Sequence, residues 1–188
     1  MKVVAFNGSP RRDGNTAILV GRVCAGLEEQ GIGTEQVSLA EKPLRGCIAC
    51  GRCAVNKNRR CTIQDDAAND CIEKMVAADG IILASPVYFQ DVTAEMKALI
   101  DRAGFVARSN GRMLASRVGA SVAALRRTGG VGTIDTLNHF FLSGEMIIVG
   151  RAVGFGMEKG EVEKDLEGMQ QAASLGQRMA RLLVRLHR

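Results

Sequence analysis

Five short, largely apolar runs alternate along the 188-residue chain with longer segments whose apolar residues recur at helical spacing. The runs are Lys2 to Phe6, Thr34 to Leu39, Gly80 to Ala84, Arg117 to Leu125 and Met146 to Val149. Apolar runs separated by helices are typical of parallel strands that are buried on both faces. The pattern therefore predicts the α/β class, with one doubly wound, five-stranded parallel sheet and right-handed crossovers.

Composition indicates a single domain that spans residues 1–188. Hydrophobic residues make up 46% of the chain, which has three prolines and neither an internal repeat nor a low-complexity tract. A chain of this length can bury a substantial core without disulfide bonds. The segment at about 40–62 has no clear periodicity and carries four of the six cysteines, so we interpret it as a functional insertion.

The loop from Phe6 to Thr16 joins the first predicted strand to the first predicted helix. A helix start offers unpaired N–H groups and a partial positive charge, both of which favour an anion. The loop adds flexible glycines, the hydroxyls of Ser9 and Thr16, the amide of Asn15, and the charges of Arg11 and Arg12. Because it lacks the Walker A and Gly-x-Gly-x-x-Gly signatures, a nucleoside triphosphate or a dinucleotide is disfavoured. The alternative is a polar turn with a helix cap.

Two further loops follow predicted strands, Ser85 to Asp91 after the third strand and Arg126 to Gly130 after the fourth. In doubly wound sheets, ligands bind beyond the carboxyl ends of the strands. Three suitable loops at carboxyl ends favour a ligand site over three unrelated turns.

Four cysteines lie within fifteen positions, as Cys47-x-x-Cys50-x-x-Cys53 followed by Cys61. Close spacing lets a tight loop direct several sulfur atoms at one centre, and four thiolates suit either a [4Fe–4S] cluster or structural zinc. Free or reversibly oxidised thiols are a third possibility. We interpret Cys24 and Cys71, which fall on apolar helix faces, as small core residues.

The chain resembles the flavodoxin-like NAD(P)H-dependent FMN reductases and, among them, the iron–sulfur flavoproteins. The resemblance rests on Gly8-Ser9-Pro10-Arg11 with Gly14-Asn15-Thr16, on Ser85 to Phe89 with Met96-Lys97 and Asp101-Arg102, and on Arg127 to Gly130. The compact four-cysteine motif is similar to that of the iron–sulfur flavoproteins. The resemblance implies a flavodoxin-like strand order of 2-1-3-4-5 and FMN as the cofactor.

The resemblance also implies which residues contact the cofactors. The FMN phosphate is expected on the first loop, the isoalloxazine ring against the second, and the third loop on the other side of the ring. The expected FMN-binding residues are Ser9, Arg11, Arg12, Asn15, Thr16, Pro86, Val87, Tyr88, Phe89, Arg126, Arg127, Gly129 and Gly130. The expected cluster ligands are Cys47, Cys50, Cys53 and Cys61. We expect no catalytic side chain beyond the flavin, because His139 and His187 support neither a hydrolytic triad nor a His-rich metal site.

Charge and hydropathy restrict the possible partners. The net charge is +5, but the basic residues are scattered and aromatic residues make up only 4%, so we expect no nucleic-acid binding. No apolar run has the length of a membrane helix and no signal peptide is recognisable, so we expect a soluble, cytoplasmic protein. The excess positive charge would steer an anionic cofactor or an acidic redox partner.

The resemblance and the cysteine motif together imply an FMN-dependent oxidoreductase that transfers electrons between a [4Fe–4S] cluster and FMN, with a ferredoxin-like protein or NAD(P)H as external donor or acceptor. The resemblance further implies a homodimer or homotetramer. The alternative is an NAD(P)H-dependent reductase of FMN, quinones or similar acceptors that has no cluster. A non-enzymatic redox sensor is a third possibility.

Overall fold

A five-stranded, all-parallel sheet forms the centre of the computed structural model, which describes residues 1–41 and 44–187. The strands are β1 (Lys2–Asn7), β2 (Gly33–Ser38), β3 (Gly80–Pro86), β4 (Val118–Leu125) and β5 (Ile147–Phe155). Their order is β2-β1-β3-β4-β5, with every neighbouring pair parallel. The predicted α/β class and the strand order 2-1-3-4-5 are confirmed.

Helices cover both faces of this sheet. They are α1 (Asn15–Glu28), α3 (Ala68–Ala77), α4 (Ala94–Ser109), α5 (Gly130–Ser143) and α6 (Leu166–Leu186). The short helix α2 (Arg52–Asn56) packs against α4, and a 3₁₀ turn spans Glu161–Lys164. Alternate residues of the central strands point to opposite faces, as in any strand. Val3 and Ile82 pack with α1 and α6, whereas Val4 and Ile81 pack with α3, α4 and α5. The sheet thus lies between two apolar cores.

Two elements differ from the sequence prediction. The fifth strand continues through Gly150 to Phe155, whereas glycines from Gly150 onward predicted its end at Val149. The pairing of β5 with β4 shifts in register between Gly119 and Ala120, and Gly150 has a φ of +145°. A β-bulge therefore accommodates the extra residue of β5, and pairing resumes beyond it.

The cysteine-rich segment contains the short helix α2, which the sequence did not predict. Residues 42 and 43 of the predicted insertion lie outside the described residues.

The topology brings the three predicted loops to one edge of the sheet. They follow β1, β3 and β4, which are adjacent in the sheet, so their carboxyl ends open side by side. None of the helices in the described ranges has the length and apolar character required to cross a membrane.

Candidate functional site

A cavity of about 180 Å³ lies at the carboxyl edge of the sheet, and all three predicted loops contribute to its wall. The structure brings together eight of the thirteen predicted FMN-binding residues there: Ser9, Arg11, Asn15, Thr16, Pro86, Val87, Tyr88 and Arg126. Gly14, Ala124, Leu125, Gly156 and Met157 complete the wall.

The first loop leaves the N-terminus of α1 available to a ligand. The Oδ1 atom of Asn7 accepts the Ser9 N–H at 2.9 Å, and the Ser9 hydroxyl accepts the Arg11 N–H at 3.1 Å, so the backbone is held in a tight curl. The helix cap is Gly14, which supplies no side-chain hydrogen bond, and the first turn has no acidic residue. No side chain of the cap or of the first turn therefore neutralises the N–H groups and the positive end of the helix dipole, which suits an anion.

The amide of Asn15 is used within the protein. Its Oδ1 accepts the N–H groups of Gly160 and Val162 at 3.0 and 3.4 Å, and its Nδ2 donates to the Glu158 carbonyl at 2.9 Å. These bonds tie the segment after β5 to the first loop and explain why Gly156 and Met157 reach the cavity.

Sequence reasoning missed the contribution of this segment after β5. The glycine pair Gly154 and Gly156 at the end of the last strand is the signal that could have revealed it. A Cβ on Gly156 would lie 2.7 Å from the Val162 nitrogen and 2.8 Å from Asn15 Nδ2, so a side chain there is excluded by contact.

The second loop ends in a tight turn at the mouth of the cavity. Tyr88 and Asp91 pair through their backbones, and the central residues Phe89 and Gln90 have φ values of +49° and +77°. Bulky residues rarely adopt positive φ, so the turn is strained. Tyr88 lines the cavity, but Phe89 lies fully exposed at the turn tip and does not.

The third loop packs against the second. Gly129 has a φ of +88°, and a Cβ there would lie 2.5 Å from Val87 Cγ1, so only glycine fits. The Gln90 amide donates to the Thr128 hydroxyl at 3.3 Å. Gly129 therefore shapes the cavity through Val87 and does not itself line it.

The remaining predicted residues lie away from the cavity wall. Arg12 forms an ion pair with Glu41 on the surface, and Arg127 and Gly130 are not part of the wall. Arg126 is the arginine that this loop contributes to the wall.

A second cavity of about 180 Å³ is lined by all four cysteines of the predicted motif. Cys47 and Cys50 are exposed, whereas Cys53 and Cys61 are partly buried against α4. Across the described ranges, no group of three or more His, Cys, Asp or Glu side chains is arranged so that it could hold a metal ion. The four thiols thus surround a space without converging on one point.

Polar side chains from neighbouring helices fix the two partly buried cysteines. Asn69, on α3, accepts the Cys61 N–H at 2.7 Å and donates to the Cys61 and Ile63 carbonyls, both at 3.0 Å. Asn110, at the end of α4, donates to the Cys53 carbonyl at 3.4 Å and accepts the Arg59 N–H at 2.8 Å. Sequence reasoning identified none of these supports.

The other two cysteines are core residues, as predicted. Cys24 and Cys71 are buried on α1 and α3. Burial raises the pKa of the Cys24 thiol to about 11, so this thiol is protonated and unreactive at neutral pH.

A 2-1-3-4-5 parallel sheet with an anion-suited loop at its carboxyl edge defines the flavodoxin-like class. The family model described as NADPH-dependent FMN reductase matches residues 1–160. The chain belongs to this family of flavin-dependent oxidoreductases, and within it to the iron–sulfur flavoprotein-like subgroup.

Two relatives match nearly the whole chain. An iron–sulfur flavoprotein of Methanocaldococcus jannaschii is 39% identical over 193 residues, which cover 97% of each protein. An iron–sulfur flavoprotein of Methanosarcina thermophila is 33% identical over 186 residues, covering 97% of this chain and 95% of the relative.

Solved structures share the fold at lower identity. RosB with the bound intermediate 8-demethyl-8-formylriboflavin-5'-phosphate has a TM-score of 0.79 at 15% identity, over 100% of this chain and 80% of RosB. An NAD(P)H:quinone oxidoreductase from Methanothermobacter marburgensis has a TM-score of 0.72 at 17% identity, with 94% of each chain covered.

The two neighbouring arginines of the first loop give a direct test of the cavity assignment. If this cavity holds the FMN phosphate, Arg11→Ala would remove a charge-assisted hydrogen bond to it, so we expect FMN binding to weaken by about tenfold to a hundredfold. The matched Arg12→Ala variant should change the affinity less than about twofold, since Arg12 pairs with Glu41 at the surface. Titration of apoprotein into FMN, followed by quenching of flavin fluorescence, measures both constants. Equal affinities for the two variants would contradict the assignment.

Proposed function

We propose that this FMN-dependent oxidoreductase carries a [4Fe–4S] cluster on Cys47, Cys50, Cys53 and Cys61 and passes electrons between that cluster and FMN. The proposal rests on the finding that these four cysteines line one cavity, although they are spread over fifteen positions of the chain. The names of the iron–sulfur flavoproteins that resemble the chain support it.

The residues of the first cavity fit a flavin monophosphate. The uncapped α1 terminus, the Ser9 and Thr16 hydroxyls and the Arg11 guanidinium offer donors for a phosphate. Pro86, Val87, Tyr88 and Leu125 offer apolar walls for a planar ring. We infer that Gly129 acts on the ring indirectly, by allowing Val87 its position.

The donor set of the cysteine cavity suits a [4Fe–4S] cluster, because the four thiols can supply one ligand for each iron. Zinc also accepts four thiolates, which it holds at about 2.3 Å. The run Cys47-x-x-Cys50-x-x-Cys53 is similar to ferredoxin ligation, whereas a zinc ribbon normally uses two separated pairs of cysteines.

FMN supplies two-electron chemistry and the cluster one-electron chemistry when they are bound. The chain itself would bind the FMN phosphate, line the isoalloxazine ring and supply the four thiolates. We expect the two cofactors to carry this exchange without a catalytic side chain.

The surface around the cysteines favours an acidic protein partner, such as a ferredoxin-like carrier. Residues 44–63 contain five cationic side chains and no carboxylate. Arg52, Lys57 and Arg59 are exposed and form no ion pair within the described ranges, and the apolar side chains of Ile48 and Val55 are exposed beside them. A basic rim with an apolar centre is suited to a small electron-transfer contact.

Salt dependence tests this partner assignment. We expect Arg52→Glu to slow electron transfer from a reduced acidic ferredoxin by about tenfold at low ionic strength, because attraction becomes repulsion. The matched Arg181→Glu variant on the exposed face of α6 should leave the rate nearly unchanged. Stopped-flow mixing at several salt concentrations measures the effect. An equal rate for both variants, or a rate that salt does not lower, would contradict an acidic partner.

We also propose a homodimer or homotetramer, on the strength of the family resemblance. Light scattering coupled to size-exclusion chromatography measures the solution mass, and a monomer mass over the working concentration range would refute this assembly.

The second candidate is an NAD(P)H-dependent reductase of FMN, quinones or similar acceptors that has no cluster. Two observations favour it: the family model describes NADPH-dependent enzymes, and no group among the described residues could hold a metal ion. NAD(P)H oxidation that depends on an added acceptor, in protein free of iron, would identify this function.

Metal content distinguishes the two functions. After anaerobic purification and cluster reconstitution, we expect about four iron and four sulfide ions per chain in the wild type. Cys50→Ser should lower both contents because a thiolate ligand is removed, whereas the core variant Cys24→Ala should retain them. Flavin in each variant serves as the internal control for folding. Flavin-loaded wild type without iron or acid-labile sulfide would reject the cluster in favour of the second function.

A further inference from the structure

We infer that Arg102 is the positioning residue for Cys61: its guanidinium holds the Cys61 sulfur at the wall of the cysteine cavity and raises the reduction potential of the cluster bound there. This inference rests on the proposed function, because it concerns the cluster ligands. It assigns a tuning role to a side chain outside the cysteine motif.

The Arg102 side chain lies on α4 and has 0% of its surface exposed. Its Nε donates to the Cys61 Sγ at 3.3 Å, and one terminal nitrogen donates to the Arg45 carbonyl at 3.1 Å and to the Asp66 carboxylate. The other terminal nitrogen donates to the Ile63 carbonyl at 3.0 Å. One buried group therefore joins α4 to the chain on both sides of the cysteine segment.

Asp66 balances the buried charge, since its own side chain is only 4% exposed. Burial alone would raise the pKa of Asp66. The hydrogen bonds from Arg102 and from the Arg45 and Ala68 N–H groups outweigh burial, so the pKa lies below its usual range. The pair is thus ionised at neutral pH, and the guanidinium keeps its full set of donors.

The four cysteines differ in the hydrogen bonds that their sulfur atoms accept. Cys61 is the one whose sulfur accepts a hydrogen bond from a charged donor in the part of the chain that the structure describes. The Ser109 hydroxyl approaches the Cys53 sulfur at 4.0 Å and is neutral, and Cys47 and Cys50 are exposed. A cation that donates to one ligand stabilises the reduced cluster, which carries more negative charge, so the potential rises.

If Arg102 only stabilised the fold, replacing it would not change the cluster potential. Arg117 offers the comparison, because its partly buried guanidinium donates to the Ala78 and Val76 carbonyls but to no cysteine. Replacement of Arg117 would loosen packing at the end of α3 without touching a cluster ligand. A change of potential is therefore specific to Arg102.

The test compares Arg102→Lys, the double variant Arg102→Gln with Asp66→Asn, and the control Arg117→Lys. The lysine keeps the positive charge but loses the Cys61 hydrogen bond. The double variant removes both buried charges, so that no unpaired carboxylate opposes folding. Flavin, iron and sulfide contents are measured in each reconstituted protein, and the cluster potential is measured by an anaerobic redox titration followed by electron paramagnetic resonance.

We expect wild-type flavin content in all three variants. Both Arg102 variants should either titrate at a more negative potential than the wild type or lose iron, whereas Arg117→Lys should do neither. Arg102 variants with full iron content and an unchanged potential would overturn the tuning role.

A second measurement on metal-free protein separates this inference from the proposed function. Trypsin can cleave the cysteine segment at Arg45, Arg52, Lys57, Arg59 and Arg60. Loss of the Arg102 anchor should accelerate these cuts by roughly tenfold, because the segment opens more often. An unchanged rate of trypsin cleavage in the Arg102 variants would show that Arg102 does not hold the cysteine segment, even if the wild type binds a cluster. Wild-type protein that takes up no iron, with accelerated cutting in the variants, would instead refute the proposed cluster and with it the tuning role.

Discussion

The buried hydroxyl of Thr93 is the contact on which the carboxyl edge of the sheet depends. It donates to the Gly8 carbonyl at 2.8 Å and accepts the Met96 N–H at 3.3 Å, so it caps α4 and binds the first loop at once. The Thr93 N–H in turn donates to the Ser85 hydroxyl at 3.0 Å. A Cβ on Gly8 would lie 2.9 Å from the Thr93 hydroxyl, so the first loop can approach Thr93 this closely only because residue 8 is a glycine. The ends of β1 and β3 and the start of α4 are therefore one connected unit.

Because α4 starts at this contact, it links the two candidate sites. Its N-terminus adjoins the flavin loops, and Arg102 and Ser109 further along the same helix contact the cysteine segment. Arg102 lies nine positions after Thr93, which corresponds to about 14 Å along the helix axis. The helix packs within the apolar core through Met96, Leu99 and neighbouring residues, so it fixes both loops against the same sheet. A long exposed segment with only a five-residue helix of its own thus gains order from α4.

The sequence predicted features that follow from topology better than those that depend on local geometry. The loops after β1, β3 and β4 were placed together correctly, because carboxyl ends of parallel strands share an edge. Phe89, which was expected beside the ring, lies fully exposed on a turn with two consecutive positive φ values, and no sequence periodicity encodes that turn. Its contact with the ring stays a prediction. Gly156 was missed because β5 continues past a bulge. Arg102 was noticed only as part of a family motif, since burial of an arginine depends on partners such as Asp66 that lie 36 positions away in sequence.

The number of electrons that the protein accepts decides whether one chain holds both a flavin and a cluster. Anaerobic titration with dithionite, followed by visible absorption on protein of known flavin content, measures this number. We expect about three electron equivalents per chain, two for FMN and one for the [4Fe–4S] cluster. An end point at about two equivalents in protein with full flavin content would contradict it, because only the flavin would then be reducible.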